Sequence, residues 1–475
     1  MVMLRIIIRK ELLDNLLNLR FTALCAVAIV LLVTSIVVLT EQYRGEMNDY
    51  YTRVSTQDTF IDRYGHSNRI GWMSVVAREP SRYRPLVLGI DRDAAQENFV
   101  NNPVPALLSK LDFVAIVAII MSLVAIILSH NAISGEREDG MLKLMLSTSI
   151  SRSNIVLGKF IAGIITLSVP FTLGILLGIA YIALSVGFTF DGISIGVIGS
   201  LLFLSFLYMT AFYALGLLFS ARSRTSNVAI LKSLFAWVVL VLVLPNISPF
   251  LAAQIYTIPS RAKIERELTK IESDDRDQLV RERVRRLLQG EFSDLASVQS
   301  MTRADLQKNI ESDASFRERF AGFRKAQDEV IRQVNIEQRK ISKAIREDFG
   351  NRSQNQELLA TTLASLSPLS NFVFAATDAA DVGLESNAEW ESQAGRYDRS
   401  LREYVERRYS EEKEKNPAFT PNDYLDLRGR PRFRFQPPPV SVRFSRILVP
   451  TAILAGFTLM FFAAAFVSFL RYDVR

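Results

Sequence analysis

Six stretches of this chain are apolar for long enough to cross a bilayer, which constrains the fold more tightly than any other feature of the sequence. Residues 21–40, 113–130, 160–188, 193–220, 228–250 and 447–470 each approach or exceed the roughly twenty apolar residues a spanning helix needs. Backbone N–H and C=O groups in hydrocarbon must be satisfied within their own segment, so such runs are helices. At 475 residues the length alone would suit about two to four soluble domains. The apolar runs predict instead an all-α membrane protein with six transmembrane helices.

Charge and rare residues then exclude several classes. Lys and Arg number 56 against 49 Asp and Glu, a net charge of +7. In a membrane protein that excess marks cytoplasmic flanks rather than a nucleic-acid surface. The one cysteine, Cys25, lies within the first apolar run, so neither an intrachain disulfide nor a cysteine metal site can form. The two histidines, His66 and His130, cannot make a histidine cluster, and His66 among polar neighbours lacks the companions a metal site requires.

In chain order, residues 1–20 set Leu4, Ile7, Ile8, Leu12, Leu16 and Leu19 beside Arg5, Arg9, Lys10 and Arg20. That is the pattern of an amphipathic helix lying at the cytoplasmic surface. The competing reading is a secretory signal, but the apolar run is too long for a signal core and no small-x-small cleavage site follows. Residues 41–110 read as a small extracytoplasmic domain. Pro170 predicts a kink in the third span. Residues 221–227 form a short basic loop, and Lys232 is placed to snorkel toward it.

Residues 251–446 read as a large, mostly helical extracytoplasmic domain between spans five and six. Ile264, Leu268 and Ile271, then Phe320, Phe323, Val330, Val334, Ile341, Ile345 and Phe349, recur at helical spacing and predict a helical hairpin ending at Gly350-Asn351. Residues 359–383 are moderately apolar but carry Asp378 and Asp381. Each ionised Asp near a helix centre costs roughly 2.5 to 3.5 kcal/mol on the insertion scale, so this stretch reads as interfacial or domain-buried rather than spanning. A charged helix over 389–415 and a proline-rich extended lead over 430–446 return the chain to the membrane.

The connector at residues 131–159 is the most distinctive segment. Charges alternate at Glu136, Arg137, Glu138 and Asp139, and Gly140 then permits a break. Met141, Leu142, Met145 and Leu146 can share one face of a short helix along the membrane surface. Ser151 is placed to cap the third span, with Asn154 where a full capping box has Glu or Gln.

This wording resembles the inner coupling segment of permease subunits of type-2 class ABC exporters. The resemblance is carried by Gly135, Glu136, Glu138 and Gly140, by Leu142, Leu144 and Leu146, by Ser147, Thr148, Ser151 and Arg152, and by Gly158 and Lys159. Met141 stands where that family usually has Thr, and Ser149 where it usually has Pro. The large insert before the last span resembles the subgroup found beside gliding-motility and copper-enzyme maturation genes.

The resemblance implies a second permease copy, identical or related, and two separate ABC ATPase subunits that hold ATP and Mg, with no cofactor in this chain. It makes Glu136, Arg137, Glu138, Gly140, Leu142, Met145, Leu146 and Arg152 the ATPase-coupling residues, together with the amphipathic first helix. It also places spans two and five along the passage. Pro245, Asn246 and Pro249 are then candidate passage-lining residues, since prolines free backbone groups there; the bland alternative is an interfacial helix end.

No ATP-binding or catalytic motif competes. Gly135 and Gly140 have phosphate-loop spacing, but Met141-Leu142 replace the required Lys and Ser or Thr. The carboxylates of the insert form no recognisable acid and base pair. The chain therefore reads as the permease of an ABC exporter at the bacterial inner membrane. The alternatives are an ATP-driven mechanotransmitter acting on an envelope partner, and a membrane scaffold or receptor.

The short Lys- and Arg-rich segments 1–20, 131–159, 221–227 and 471–475 fall on one side, which the positive-inside rule makes cytoplasmic. Single cysteines at Ser300 and Asn416, in a Cys25→Ala background, should accordingly react with a membrane-impermeant maleimide in intact spheroplasts. Reaction only after lysis would invert the topology.

Overall fold

The computed structural model describes residues 2–66, 76–89, 111–147, 151–187, 191–416 and 419–471. Among them there are helices and no strand, and six helices are long and apolar enough to cross a membrane. Trp72, Pro103, Pro105, Thr148 and Ser149 lie outside the described residues. The chain divides into two compact units, Met1–Pro245 with Ala364–Arg475, and Asn246–Leu363.

In the first unit the fourth span, Gly192–Arg222, occupies the centre. It packs against the second, third, fifth and sixth spans and against a short helix, Pro368–Ala379. Leu201, Leu204, Tyr208, Phe212 and Leu215 of this span are buried, together with Val117, Met121 and Val124 of the second and Leu454 and Phe461 of the sixth. The third span, Arg152–Val186, continues as one helix through Pro170. Ser151 caps it as the sequence predicts, its side chain accepting from the Asn154 N–H at 3.4 Å.

The first span departs from the expected boundary. Its helix runs from Leu19 to Tyr64, 46 residues, and does not stop where the apolar run ends near residue 40. No proline or capping glycine interrupts the polar continuation, and Gly45 alone costs only about 1 kcal/mol. At about 1.5 Å per residue the helix is about 69 Å long, far more than a bilayer needs. Its far end is anchored by packing: Ile61 is buried with Leu401, Val405, Leu425 and Leu427. The buried Arg430 guanidinium forms ion pairs with both Asp58 and Asp62, and the Leu425 N–H donates to the Gly65 carbonyl at 2.8 Å. His66 completes this patch, with Nδ1 3.1 Å from the Asp423 carbonyl oxygen.

Pro368–Ala379 is buried against the fourth span and belongs to the first unit, so residues 251–446 do not form the single domain that the sequence suggests. Twelve residues extend only about 18 Å, too short to span. Ser367 caps it by accepting from the Leu369 and Ser370 N–H groups, and Pro368 takes the first-turn position where its missing donor costs nothing. Phe372 stacks on Tyr208 with ring centroids 4.7 Å apart. Burial pushes the Asp378 carboxyl up to about 6; neighbouring Glu385 adds to the shift and Arg446 opposes it. The charged helix that follows runs over Leu384–Lys415, beginning five residues before the expected start at 389.

The second unit is the expected helical hairpin. Val284, Leu288, Phe292, Leu295 and Phe323 form its core. Arg283 and Glu337 pair across it at 2.7 Å, as do Arg346 and Glu272 at 3.3 Å. The return helix does not end at Gly350-Asn351 but continues to Ala364. Gly350 lacks the left-handed backbone of a C-cap, and no proline follows to stop the helix.

Arg430 joins the far end of the first span to the segment before the last. Replacing it with Met leaves two half-exposed aspartates side by side, at a cost of about 1 to 3 kcal/mol after allowing for their hydration. Limited proteolysis should then cut first within residues 419–430, whereas an unchanged digestion pattern would show that the apolar patch suffices alone.

Candidate coupling site and the paired spans

At the end of the bundle formed by residues 131–159, the chain buries a charge. Lys159 is 2 % exposed, and its ammonium lies 2.7 Å from Glu11 Oε1 and 2.9 Å from Glu136 Oε1. Lys10 reaches the same Glu136 oxygen at 3.2 Å. Burial works against the Lys10 charge, but Glu136, then Glu11 and Asp14, hold its pKa above the ordinary lysine value. An isolated buried charge would cost several kcal/mol, so two acids and two bases in one cluster are the condition for placing Lys159 there.

The cluster fixes the surface helix Val2–Leu17 to the third span and the connector. Ile7 is buried and Leu4, Ile8, Glu11 and Leu12 are half-buried, while Leu16 and Leu19 are exposed. The seated face is therefore centred on Ile7 and Glu11, and the predicted stripe holds only for its first three turns. Gly158 makes the seat possible: a Cβ there would come within 2.6 Å of Ile7 Cγ2.

The connector folds as two short helices, Ser134–Glu138 and Met141–Ser147, broken at Gly140, whose φ of +74° suits glycine. Most of the predicted coupling residues turn inward. Arg137 donates to the Ser223 and Ala221 carbonyls, closing the connector onto the loop between spans four and five. Glu138 Oε2 accepts from Ser226 Oγ at 2.7 Å, and Ser220 Oγ accepts from the Ile133 and Ser134 N–H groups at 2.9 and 3.0 Å. Leu142 is 1 % exposed among Ile133, Ile155, Leu217 and Phe469, with Met145 and Leu146 packed beside it. Arg152 donates to the Leu470 carbonyl at 2.9 Å, at the end of the sixth span. Glu138, Asp139, Met141, Lys143 and Leu144 remain exposed, Met141 by 45 % and Leu144 by 63 %.

The second and fifth spans are brought together deeper in the bundle. Each contains a π-helical segment, Ile116–Met121 in the second and Val238–Val243 in the fifth. A π turn loosens the carbonyl ladder, which membrane helices tolerate only where other groups satisfy it. The Ala118 carbonyl accepts from Tyr208 at 2.9 Å and from Ser122 at 2.6 Å. Trp237 Nε1 donates to Ser122 Oγ at 2.8 Å, bridging the two spans. Ser367 Oγ donates to the Leu240 carbonyl. Pro245, Asn246 and Pro249 follow this segment, but the helix Leu244–Ile255 passes through Pro249 and does not end there.

The model of the family described as ABC-2 family transporter protein matches residues 5–474. The chain belongs to the ABC-2 transporter family. Two relatives, each a probable ABC transporter permease protein NosY, come from Stutzerimonas stutzeri and Pseudomonas aeruginosa. They are each 30 % identical, over 144 residues (30 % of this chain and 50 % of the relative) and 149 residues (31 % and 53 %). The chain spans about half the length of these curated relatives. As a permease-family membrane subunit, it carries no cofactor of its own by family membership.

The residue reading missed Glu11, Lys10 and the Tyr208–Ser122–Trp237 network. Glu11 had a signal: it follows Ile7 by four residues, so it shares the apolar face, and an acid there demands a base. The π segments had none, because Val, Ile and Leu runs read the same in either helix.

Lys159→Met should leave Glu11 and Glu136 half-buried with only Lys10 between them, lowering stability by about 2 to 4 kcal/mol. Lys159→Met combined with Glu136→Gln should recover part of this loss in thermal unfolding of the detergent-solubilised chain. Strict additivity would show that the groups are not coupled.

Proposed function

We propose that this chain is the permease subunit of an ABC transporter in the bacterial inner membrane, with both termini cytoplasmic. Two copies, identical or related, pair with two separate ATPase subunits that hold ATP and Mg and drive export or extraction of a substrate. The observation that carries this reading is the connector. Its inward face is fully engaged with four helices, while Met141 and Leu144 stay exposed on a short, rigidly seated helix at the end of the bundle. Apolar anchors on a fixed scaffold suit a groove on a partner protein.

This moves the coupling contact within the predicted segment. Glu136, Arg137, Leu142 and Arg152 position the connector, and Glu138, Asp139, Met141, Lys143 and Leu144 present it. A push on that helix reaches spans two, three, four and six through Leu142 and the surface helix through Glu136. The large insert and residues 41–110 lie outside the cytoplasm in this reading, and spans two and five line the passage.

One observation favours a second reading, mechanotransmission. The first span's helix is unbroken from Leu19, beside the seated surface helix, to the packed patch around Ile61. A continuous helix can transmit displacement to an envelope partner without carrying a substrate across. A Gly-Gly insertion after Gly45 should abolish work on the envelope under this reading, and leave export intact under the first.

For the ATPase contact, Met141→Asp with Leu144→Asp should weaken co-purification of the ATPase subunit by about tenfold to a hundredfold. Membrane insertion and thermal stability should be unchanged, because both side chains are exposed. Full association with the double variant would remove the coupling assignment.

A further inference from the structure

The groove between the fourth and sixth spans is a feature that neither coupling nor passage uses. It encloses about 340 Å³ and is lined by Ser200, Phe203 and Leu204 on one wall and by Phe444, Ile447, Leu448 and Thr451, with Ser441 and Ser445, on the other. Both walls are membrane-spanning helices. Phe203, Leu448 and Val449 stand exposed at 58 %, 65 % and 67 %, so the mouth faces hydrocarbon.

We infer that this groove is a binding site for one acyl chain of a bilayer phospholipid. Length is the first argument. From Ser441 to Thr451 the wall extends about 15 Å along the helix axis; its first turns, with Arg443 and Arg446, lie at the interface and Ile447 to Thr451 reach into the hydrocarbon, so the groove opens to one leaflet only. A helix of a second copy, about 10 Å wide, cannot enter so small a space.

Polarity is the second argument. Ser200 donates to the Gly196 carbonyl at 2.8 Å, Ser445 to the Val442 carbonyl at 2.7 Å and Thr451 to the Ile447 carbonyl at 2.5 Å. Each hydroxyl is spent on its own helix, so the groove presents hydrocarbon and demands no hydrogen bond from its occupant. Ser441, on the first turn of the sixth span, is exposed and makes no hydrogen bond among the described residues, which leaves one hydroxyl where a chain's ester or phosphate end would emerge. Of the two neighbouring cations, Arg446 is paired with Glu385 at 2.5 Å and Glu389 at 3.3 Å, and Arg443 donates from Nε to the Pro438 carbonyl at 3.2 Å. Recognition therefore falls on the chain rather than on a charged headgroup.

The test is native mass spectrometry of the full chain in detergent, titrated with palmitoyl-oleoyl phosphatidylethanolamine or phosphatidylglycerol. The unaltered chain should retain one lipid of either headgroup. Leu448→Trp and, separately, Ser200→Phe fill the groove from opposite walls and should each weaken that retention about tenfold. Val449→Trp, at a position more exposed and outside the lining, should retain it. A protein that misfolds in one filling variant leaves the other to decide, and loss of lipid-induced thermal stabilisation should follow the same pattern. Equal retention by all three variants would overturn the site. So would retention of phosphatidylglycerol alone, which would place recognition on charge, or a shift in oligomeric state at unchanged lipid retention, which would make the groove a seat for a second copy.

Discussion

The buried ammonium of Lys159 is the interaction on which the connector end of this protein depends. A lysine at 2 % exposure is tolerable only when counter-charges are fixed around it. Glu11 and Glu136 come from two other segments, the surface helix and the connector. Satisfying one charge therefore specifies the docking of three elements that the apolar pattern alone would leave free to slide. The first helix cannot rotate without pulling Glu11 off Lys159, and the connector cannot lift without stranding Glu136.

That arrangement also explains the division of labour along the connector. Glu136 and Arg137 hold the segment, through Lys159 and through the carbonyls after the fourth span, and the Gly140 turn then sets the second short helix in a defined orientation. Leu142 faces the bundle and Met141 and Leu144 face away. Two neighbouring positions thus carry opposite tasks. A charge in a motif shared with a family can be one that turns inward and fixes the connector, as Glu136 and Arg137 do.

The helical class, the six spans, a helix at the start of the chain, the hairpin of the insert and the cap at Ser151 were all legible, because each rests on local periodicity or on one capping residue. Segment ends were less so. The first span's helix runs on to Tyr64 and the hairpin's return helix past Gly350. In both cases polarity changes while helix propensity does not, and hydropathy marks where hydrocarbon ends, not where a helix does. At the site, the connector was found from its motif, but the direction of its side chains was not. Whether Glu136 turns in or out is decided by Lys10, Glu11 and Lys159, which are distant in sequence or on a neighbouring helix.

The second and fifth spans share a feature that bears on motion. Each has its π segment within the membrane, and each loosened ladder is closed by a side chain from elsewhere: Tyr208 of the fourth span on Ala118, and Ser367 of the buried helix on Leu240. A π turn departs from the i→i−4 ladder and leaves a carbonyl to be satisfied from elsewhere, which a regular helix does not. The donors are themselves joined, since Tyr208 stacks on Phe372 of the helix that Ser367 caps. Moving Pro368–Ala379 would thus act on both joints at once, while Trp237 and Ser122 keep the two spans in register. The fifth span is also the least enclosed of the six. The two spans that carry π segments are therefore joined through one element, the helix Pro368–Ala379, in the segment returning from the insert.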